Sequence, residues 1–325
     1  MSALFFVLAF LIVALFVYMG RYSGRVNVEQ SRFIAAAPEA VQAAVADLGR
    51  WQAWNPWLEH ARDTPASVDG NILSWDLPQV GRARLRRLEA RAPGSLRQHI
   101  DFKLPFALRG RSDWRFEPAP GGTQVHWRFK GRVAFTLRAF AATVQGATAL
   151  DLRFGLDHLA ATLEARPPAY RLDYLGVQAQ PARQHAQAPH RGPLDGLADA
   201  LPPRIAAVQE QLAAAGLAAD GTATVHYLKT QLKLRIVDCR VGLELPGAAA
   251  LPEGLSLHEE PAHPALVVRF QGPAEALELA WYQAMQRLRV EQRQPDPRLP
   301  PCARYEALPR PGEPVAVMLQ LPLRP

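Results

Sequence analysis

The chain is poor in cysteine, poor in lysine and empty of compact catalytic signatures. Its two cysteines, Cys239 and Cys302, stand far apart, and neither belongs to a C-x-x-C pair. A disulfide scaffold or a cysteine-built zinc site is therefore unsupported, and two buried free thiols are expected. No G-x-S-x-G elbow, P-loop or G-x-G-x-x-G turn occurs in the sequence, which removes the commonest acyl-transfer and nucleotide chemistries. His185 and His190 are read as flanking a loop, and His258 and His263 surround Glu259-Glu260-Pro261. Neither set has the H-E-x-x-H spacing or a matching third ligand. The expectation is no metal, no cofactor and no catalytic residue. The basic side chains are almost all arginine, and they lie scattered among carboxylates rather than in one run. Despite a net charge of +7, no nucleic-acid partner is expected.

What is present is apolar. Hydrophobic residues make up 49% of the 325 residues, enough for packed cores, and the length suits two domains. Leu4 to Met19 carries no charge, proline or glycine. With its flanks it approaches the roughly 20 residues that cross a hydrocarbon core. Tyr18 and Tyr22 fall where an aromatic belt lies, and no Lys or Arg precedes the run as a cleaved signal would require. An uncleaved transmembrane anchor is expected over residues 1–22. Arg21, Arg25 and Arg32 follow it, so the positive-inside rule places the soluble part in the cytoplasm.

After the anchor the pattern is strand, helix, meander, long helix. Val26 to Ala36 reads as a strand, and Pro38 with Glu39 opens a helix that runs to Gly49. A loop with Trp51, Trp54 and Trp57 follows. Five runs then alternate with period two. Leu73, Trp75 and Leu77 share a face; Ala83 and Leu85 oppose Arg82, Arg84 and Arg86; Ile100, Phe102 and Leu104 oppose His99, Asp101 and Lys103. Trp114 and Phe116 share a face in the next run, and Val125, Trp127 and Phe129 in the one after. Such strands bury one face and wet the other, as in an antiparallel sheet. Ala139 to Ala165 reads as a long helix, and Pro167-Pro168 ends the unit. Beyond it, residues 191–212 parallel residues 271–292: a strand ends at Gly-Pro, a helix follows, then two more strands. The second unit is thus expected to be a doubled β-α-β-β.

Two resemblances sharpen this outline. The run FIAAAPEAVQAAVADLGRWQAWNPW, with GGTQVHWRFKG and LRFGLDHLAATLEA later, resembles the START-like SRPBCC family, the polyketide cyclase and lipid-transfer group. The pieces VVRFQGP, Ala280-Trp281-Tyr282, ARYEALP and VAVMLQLPL resemble the GyrI-like effector-binding family. The implied architecture is α+β: an anchor, a helix-grip START-like domain over 26–166, and a pseudo-twofold effector-binding domain over 170–325.

The resemblances also imply sites. Trp54 and Trp57, with Trp51, either gate a cavity mouth or plug the core beneath a loop. Trp75, Trp114 and Trp127 lie on inferred inward faces and are the better pocket candidates. In the second domain Tyr227, Trp281 and Tyr305 either surround a ligand groove or pack in a core. Glu244 is a solvated strand residue or a ligand partner. Many GyrI-like domains carry a glutamate two residues before the late tyrosine, where this chain has Ala303. Residues i and i+2 share a strand face, so the groove expected beside Tyr305 lacks a counter-charge and suits a neutral, aromatic or lipid-like ligand. Three functions remain open: a membrane-anchored protein that binds or senses a small hydrophobic ligand, a cyclase- or hydrolase-type enzyme using one pocket, and lipid handling at the bilayer.

Overall fold

Unbroken apolar sequence makes one helix at the start of the chain, and alternating sequence makes two sheets after it. The computed structural model describes residues 2–324 except 62–63, 78–79, 89–91, 220, 233 and 248–249; the side chains of residues 2–4 and 12 are also outside the described set, as are Met1 and Pro325. The chain divides into two compact units, Met1–Pro168 and Ala169–Pro325.

In the first unit, α1 (Ser2–Gly20) is a 19-residue helix with no charge in its first or last turn. Phe5, Phe6, Phe10, Leu11 and Phe16 are exposed along it. Among the described residues no helix is long and apolar enough to cross a membrane, so the span expected over 1–22 is not shown by the fold. Next come β1 (Arg25–Ile34), α2 (Pro38–Ala46) and 3-10 turns at Leu48–Ala53 and Pro56–Ala61. The meander is β2 (Ser67–Asp69), β3 (Ile72–Leu77), β4 (Gly81–Leu88), β5 (Ser95–Leu104), β6 (Leu108–Ala119) and β7 (Gly122–Val133). A 3-10 turn at Phe135–Phe140 leads into α3 (Ala141–Glu164).

Local chemistry explains the boundaries. Pro38 sits at the start of α2, where its missing N–H costs nothing. The Asp47 side chain accepts from the Gly49 N–H and turns the chain into the first 3-10 segment. α3 stops at Ala165, whose φ of 52° is left-handed.

The seven strands form one antiparallel sheet in the order β1-β7-β6-β5-β4-β3-β2. In β4, Ala83 and Leu85 are buried and Arg82 and Arg84 exposed, as period two requires. Leu104 departs from its expected inward place and is 39% exposed. The β4–β5 register shifts between Arg82 and Ala83, and the inward alternation ends at Phe102. Leu152, Leu156, Leu159 and Ala160 of α3 complete the core, with α3 packed along β1.

The second unit contains β8 (Arg171–Gln180), β9 (Arg183–Pro193), α4 (Leu197–Ala214), β10 (Ala223–Gln231) and β11 (Ile236–Leu245). It continues with β12 (Ser256–Glu260), β13 (His263–Gly272), a turn at Ala274–Ala276, α5 (Leu277–Val290), β14 (Cys302–Tyr305) and β15 (Val315–Pro322). Each half therefore carries one strand more than expected: the repeat is β-β-α-β-β. The sheet order is β12-β9-β11-β10-β14-β15-β13-β8. Read from either end it has the same pattern, so a pseudo-twofold passes between β10 and β14. The extra strands are exchanged: β8 pairs with β13 of the second half, and β12 with β9 of the first. α4 packs on β9 and β11, α5 on β13 and β15. The unit is thus α+β, like the first.

One helix–sheet contact gives a direct test of packing. A Cβ on Gly155 of α3 would lie 2.8 Å from the Trp127 ring and 3.0 Å from Pro56, whereas at Gly146 of the same helix nothing lies within 4 Å. Gly146→Ala should stabilise the protein by about 0.5–1 kcal/mol through helix propensity. Gly155→Ala should instead destabilise it by about 1–3 kcal/mol through overpacking. Urea unfolding of the two variants measures both signs.

Candidate functional site

In the first unit the tryptophans meet. The 3-10 turn after α2 delivers Trp51 and Trp54, with ring centroids 4.5 Å apart. Cross-strand register on β6 and β7 sets Trp114 opposite Trp127, stacked at 4.2 Å. Trp54 stands edge-on to both at 6.0 and 6.1 Å. Trp57 stacks on Trp75 at 6.3 Å and meets Phe102 edge-on at 5.1 Å. Trp51, Trp54, Trp114 and Trp127 are at most 1% exposed, so these four rings fill the interior between sheet and helix. Trp57 is half-buried.

Their N–H groups separate them. Trp51 donates to the Val45 carbonyl at 2.9 Å, Trp57 to Asp151 Oδ2 at 3.1 Å, Trp114 to Gln98 Oε1 at 3.0 Å and Trp127 to Ser112 Oγ at 3.3 Å. Trp54 Nε1 is buried without a partner. Trp54 also lines an open cleft of about 600 Å³ between the α2 end of the unit and the last turns of α3, with Ala44, Gln52, Ala53, Thr162 and Leu163. Gln52 Nε2 is committed to the Ala61 carbonyl at 3.2 Å, and the Thr162 hydroxyl donates to the His158 carbonyl at 2.8 Å. The cleft thus combines apolar walls with one unsatisfied donor beneath them. A buried N–H left unpaired costs about 1–3 kcal/mol; the charged Arg50 also borders the cleft.

In the second unit Tyr227 of β10 meets Trp281 of α5 edge-on, centroids 5.0 Å apart. Tyr305 of β14 and Ala303 share their apolar face and are buried in the same core. Neither Tyr227 Oη nor Trp281 Nε1 has a well-formed hydrogen bond, although the indole lies close enough to the phenol to act on it. Burial, with Tyr305 alongside, pushes the Tyr227 hydroxyl well above the ordinary tyrosine value, and burial raises Tyr305 likewise. Both phenols stay neutral. Cys239 and Cys302 are free and buried; burial pushes the Cys239 thiol up to about 12, so it is no nucleophile at neutral pH. Glu244 is not in this company. It lies on the opposite face of β11 from Leu243 and Leu245, bound to Arg304 at 3.0 Å and Arg183 at 3.4 Å.

That opposite face holds a group that sequence spacing missed. His185 and His190 do not flank a loop; both lie on β9. Strand register sets His258 of β12 against His185, and the rings are 5.9 Å apart. His226 of β10 comes within 4.9 Å of His185 and 4.8 Å of His258. Glu260 Oε2 is 3.0 Å from His185 Nε2 and 3.7 Å from His226 Nε2, and Oε1 is 3.6 Å from His263 Nε2. Burial holds His226 and His258 below the ordinary histidine value, hence neutral. Burial pushes Glu260 up, but the hydrogen bond to His185 and the His226 imidazole 3.7 Å away outweigh it and hold the carboxyl well below the usual range. The available signal was the polar face of each strand: His185 and Gln187, Thr224 and His226, His258 and Glu260.

Residues 25–164 match the family model described as polyketide cyclase / dehydrase and lipid transport. Among solved structures, protein MLL2253 from Mesorhizobium loti is 17% identical over 43% of this chain and 97% of that one, with a TM-score of 0.34. A conserved protein from Geobacillus kaustophilus is 11% identical over 43% and 96%, with a TM-score of 0.36. The EcmrR–DNA complex gives 16% identity over 56% of this chain and 66% of that one, with a TM-score of 0.39. No curated protein matches the chain.

The position of Glu244 generates a prediction. Glu244→Ala leaves two half-buried guanidinium groups without their carboxylate, and should destabilise the protein by about 1–3 kcal/mol. In a double-mutant cycle with Arg304→Ala the two losses should fall short of additive, measured by urea unfolding.

Proposed function

We propose that the protein is a membrane-anchored binder or sensor of a small, neutral, hydrophobic molecule, held in the cleft of the first unit. The observation that carries this reading is Trp54: it lines an apolar cleft, and its indole N–H is buried without a partner. The ligand that fits is apolar over most of its surface, with one hydrogen-bond acceptor such as a carbonyl. The match of residues 25–164 to a family of cyclases and lipid-transport proteins supports the same class of ligand. The second unit reads as a GyrI-like effector-binding domain, supported by its doubled topology and by the Tyr227–Trp281 pair with its unsatisfied polar ends.

The anchor is α1. Nineteen residues rise about 28 Å, close to the roughly 30 Å of a hydrocarbon core. Exposed Phe5, Phe6, Phe10 and Phe16 would each cost free energy in water and none in lipid. With Arg21 and Arg25 following the helix, the soluble units are assigned to the cytoplasmic side.

Two measurements test these assignments. The full-length protein should remain with membranes through carbonate extraction, and recovery in the supernatant would contradict the anchor. In detergent solution it should bind a neutral, solvatochromic aromatic ketone. Trp54→Phe removes the donor and should weaken binding about 2- to 10-fold, the worth of one hydrogen bond. Ala53→Trp, at an exposed position on the cleft wall, should abolish it. Unchanged affinity in both variants would place the ligand elsewhere.

A further inference from the structure

We propose that His185, His226 and Glu260 form a binding site for a divalent transition-metal ion of the zinc class. One donor atom from each lies within 4.8 Å of the others, and all three residues are buried. At metal–ligand distances of about 2.0–2.2 Å, tetrahedral ligands stand roughly 3.3–3.6 Å apart. Glu260 Oε2 is already 3.0 and 3.7 Å from the two imidazole nitrogens.

Contacts at the outer nitrogens orient the rings. His263 Nδ1 lies 2.8 Å from the Pro261 carbonyl, to which it must donate. Its Nε2 faces Glu260 Oε1 at 3.6 Å. His185 Nδ1 meets the Thr224 hydroxyl at 3.3 Å, and His226 Nδ1 meets the Gln187 amide at 2.6 Å. It is the amide nitrogen that faces Nδ1 here, so metal binding through Nε2 requires the amide to turn and offer its oxygen to the Nδ1 proton. Every outer nitrogen has a partner, and every Nε2 points inward at one carboxylate. Such outer contacts fix the tautomer and orientation of metal-bound histidine.

What is missing is the inner partner. His226 Nε2 and His263 Nε2 are buried without a hydrogen bond, on side chains at most 5% exposed. Buried polar atoms are almost always paired, and a cation held with His185 and Glu260 would pair His226 Nε2. Two imidazoles with one carboxylate select a zinc-class ion over magnesium or calcium, which prefer oxygen. Full burial marks the site as structural. His185 and His226 belong to the first half of the unit, while Glu260 is on the exchanged strand β12. The ion would therefore pin a five-residue edge strand to the half that did not supply it.

The test uses full-length protein in detergent solution, stripped with chelator and titrated with Zn(II), with Co(II) as the spectroscopic probe. One equivalent should bind, Co(II) should show the visible bands of a four-coordinate ion, and Zn(II) should raise the Tm. Glu260→Gln and His226→Gln should lose binding and the rise in Tm. Thr224→Val, which removes only the outer contact to His185, should weaken binding roughly tenfold. His190→Gln, on the same strand but outside the cluster, should bind as the parent does. If circular dichroism shows that the ligand variants do not fold, Thr224→Val against His190→Gln decides. Absence of saturable one-to-one binding, binding unchanged by Glu260→Gln or by Thr224→Val, or equal loss in His190→Gln would overturn the site.

Discussion

The alternation of side chains along a strand is the constraint from which both units follow. Each sheet has one face that must be covered, and the two units cover it differently. In the first, α2, the 3-10 turns and α3 lay Trp51, Trp54 and a stripe of leucines against Trp114 of β6 and Trp127 of β7. In the second, α4 and α5 cover one face, and the other carries polar groups of which His185, Gln187, Thr224, His226 and Glu260 are buried. Burying polar groups is tolerable only when they pair. The unpaired atoms that remain, on Trp54 above one sheet and on the histidines beneath the other, are therefore where ligands are to be sought.

Much of the first unit was legible because its signals are local. Pro38 and Glu39 announce a helix start, Ala83 and Leu85 between arginines announce a two-faced strand, and the Pro-Gly-Gly before Val125 announces a hairpin. Leu104 misled because the extra residue on its own strand, Lys103, which has no partner on β4, shows only once the two strands are paired. The aromatic cluster was legible as a set of residues, but whether the rings line a space or fill it depends on how closely α3 approaches. Gly155 decides that approach, through a contact with Trp127 that spans the fold.

The second unit was legible in its repeat and not in its pairing. Gly-Pro followed by a helix occurs twice in the sequence, which disclosed the doubling. The exchange of β8 and β12 was hidden because each pairs with a strand of the other half, and β12 is short and polar. The histidine cluster was hidden for the same reason: its members lie on β9, β10, β12 and β13, and only strand register assembles them. Glu244 shows the converse. Its neighbours Leu243 and Leu245 gave no clue that Arg304 and Arg183 would claim it.

The account's central claim is that the first unit holds a small hydrophobic molecule beside Trp54. Native mass spectrometry of the full-length protein, purified in mild detergent and released gently from it, tests it most directly. The claim predicts a discrete added mass from a neutral apolar compound, present in the parent protein and lost in Ala53→Trp. A parent spectrum at the bare polypeptide mass, or an added mass that persists unchanged in Ala53→Trp, would contradict it.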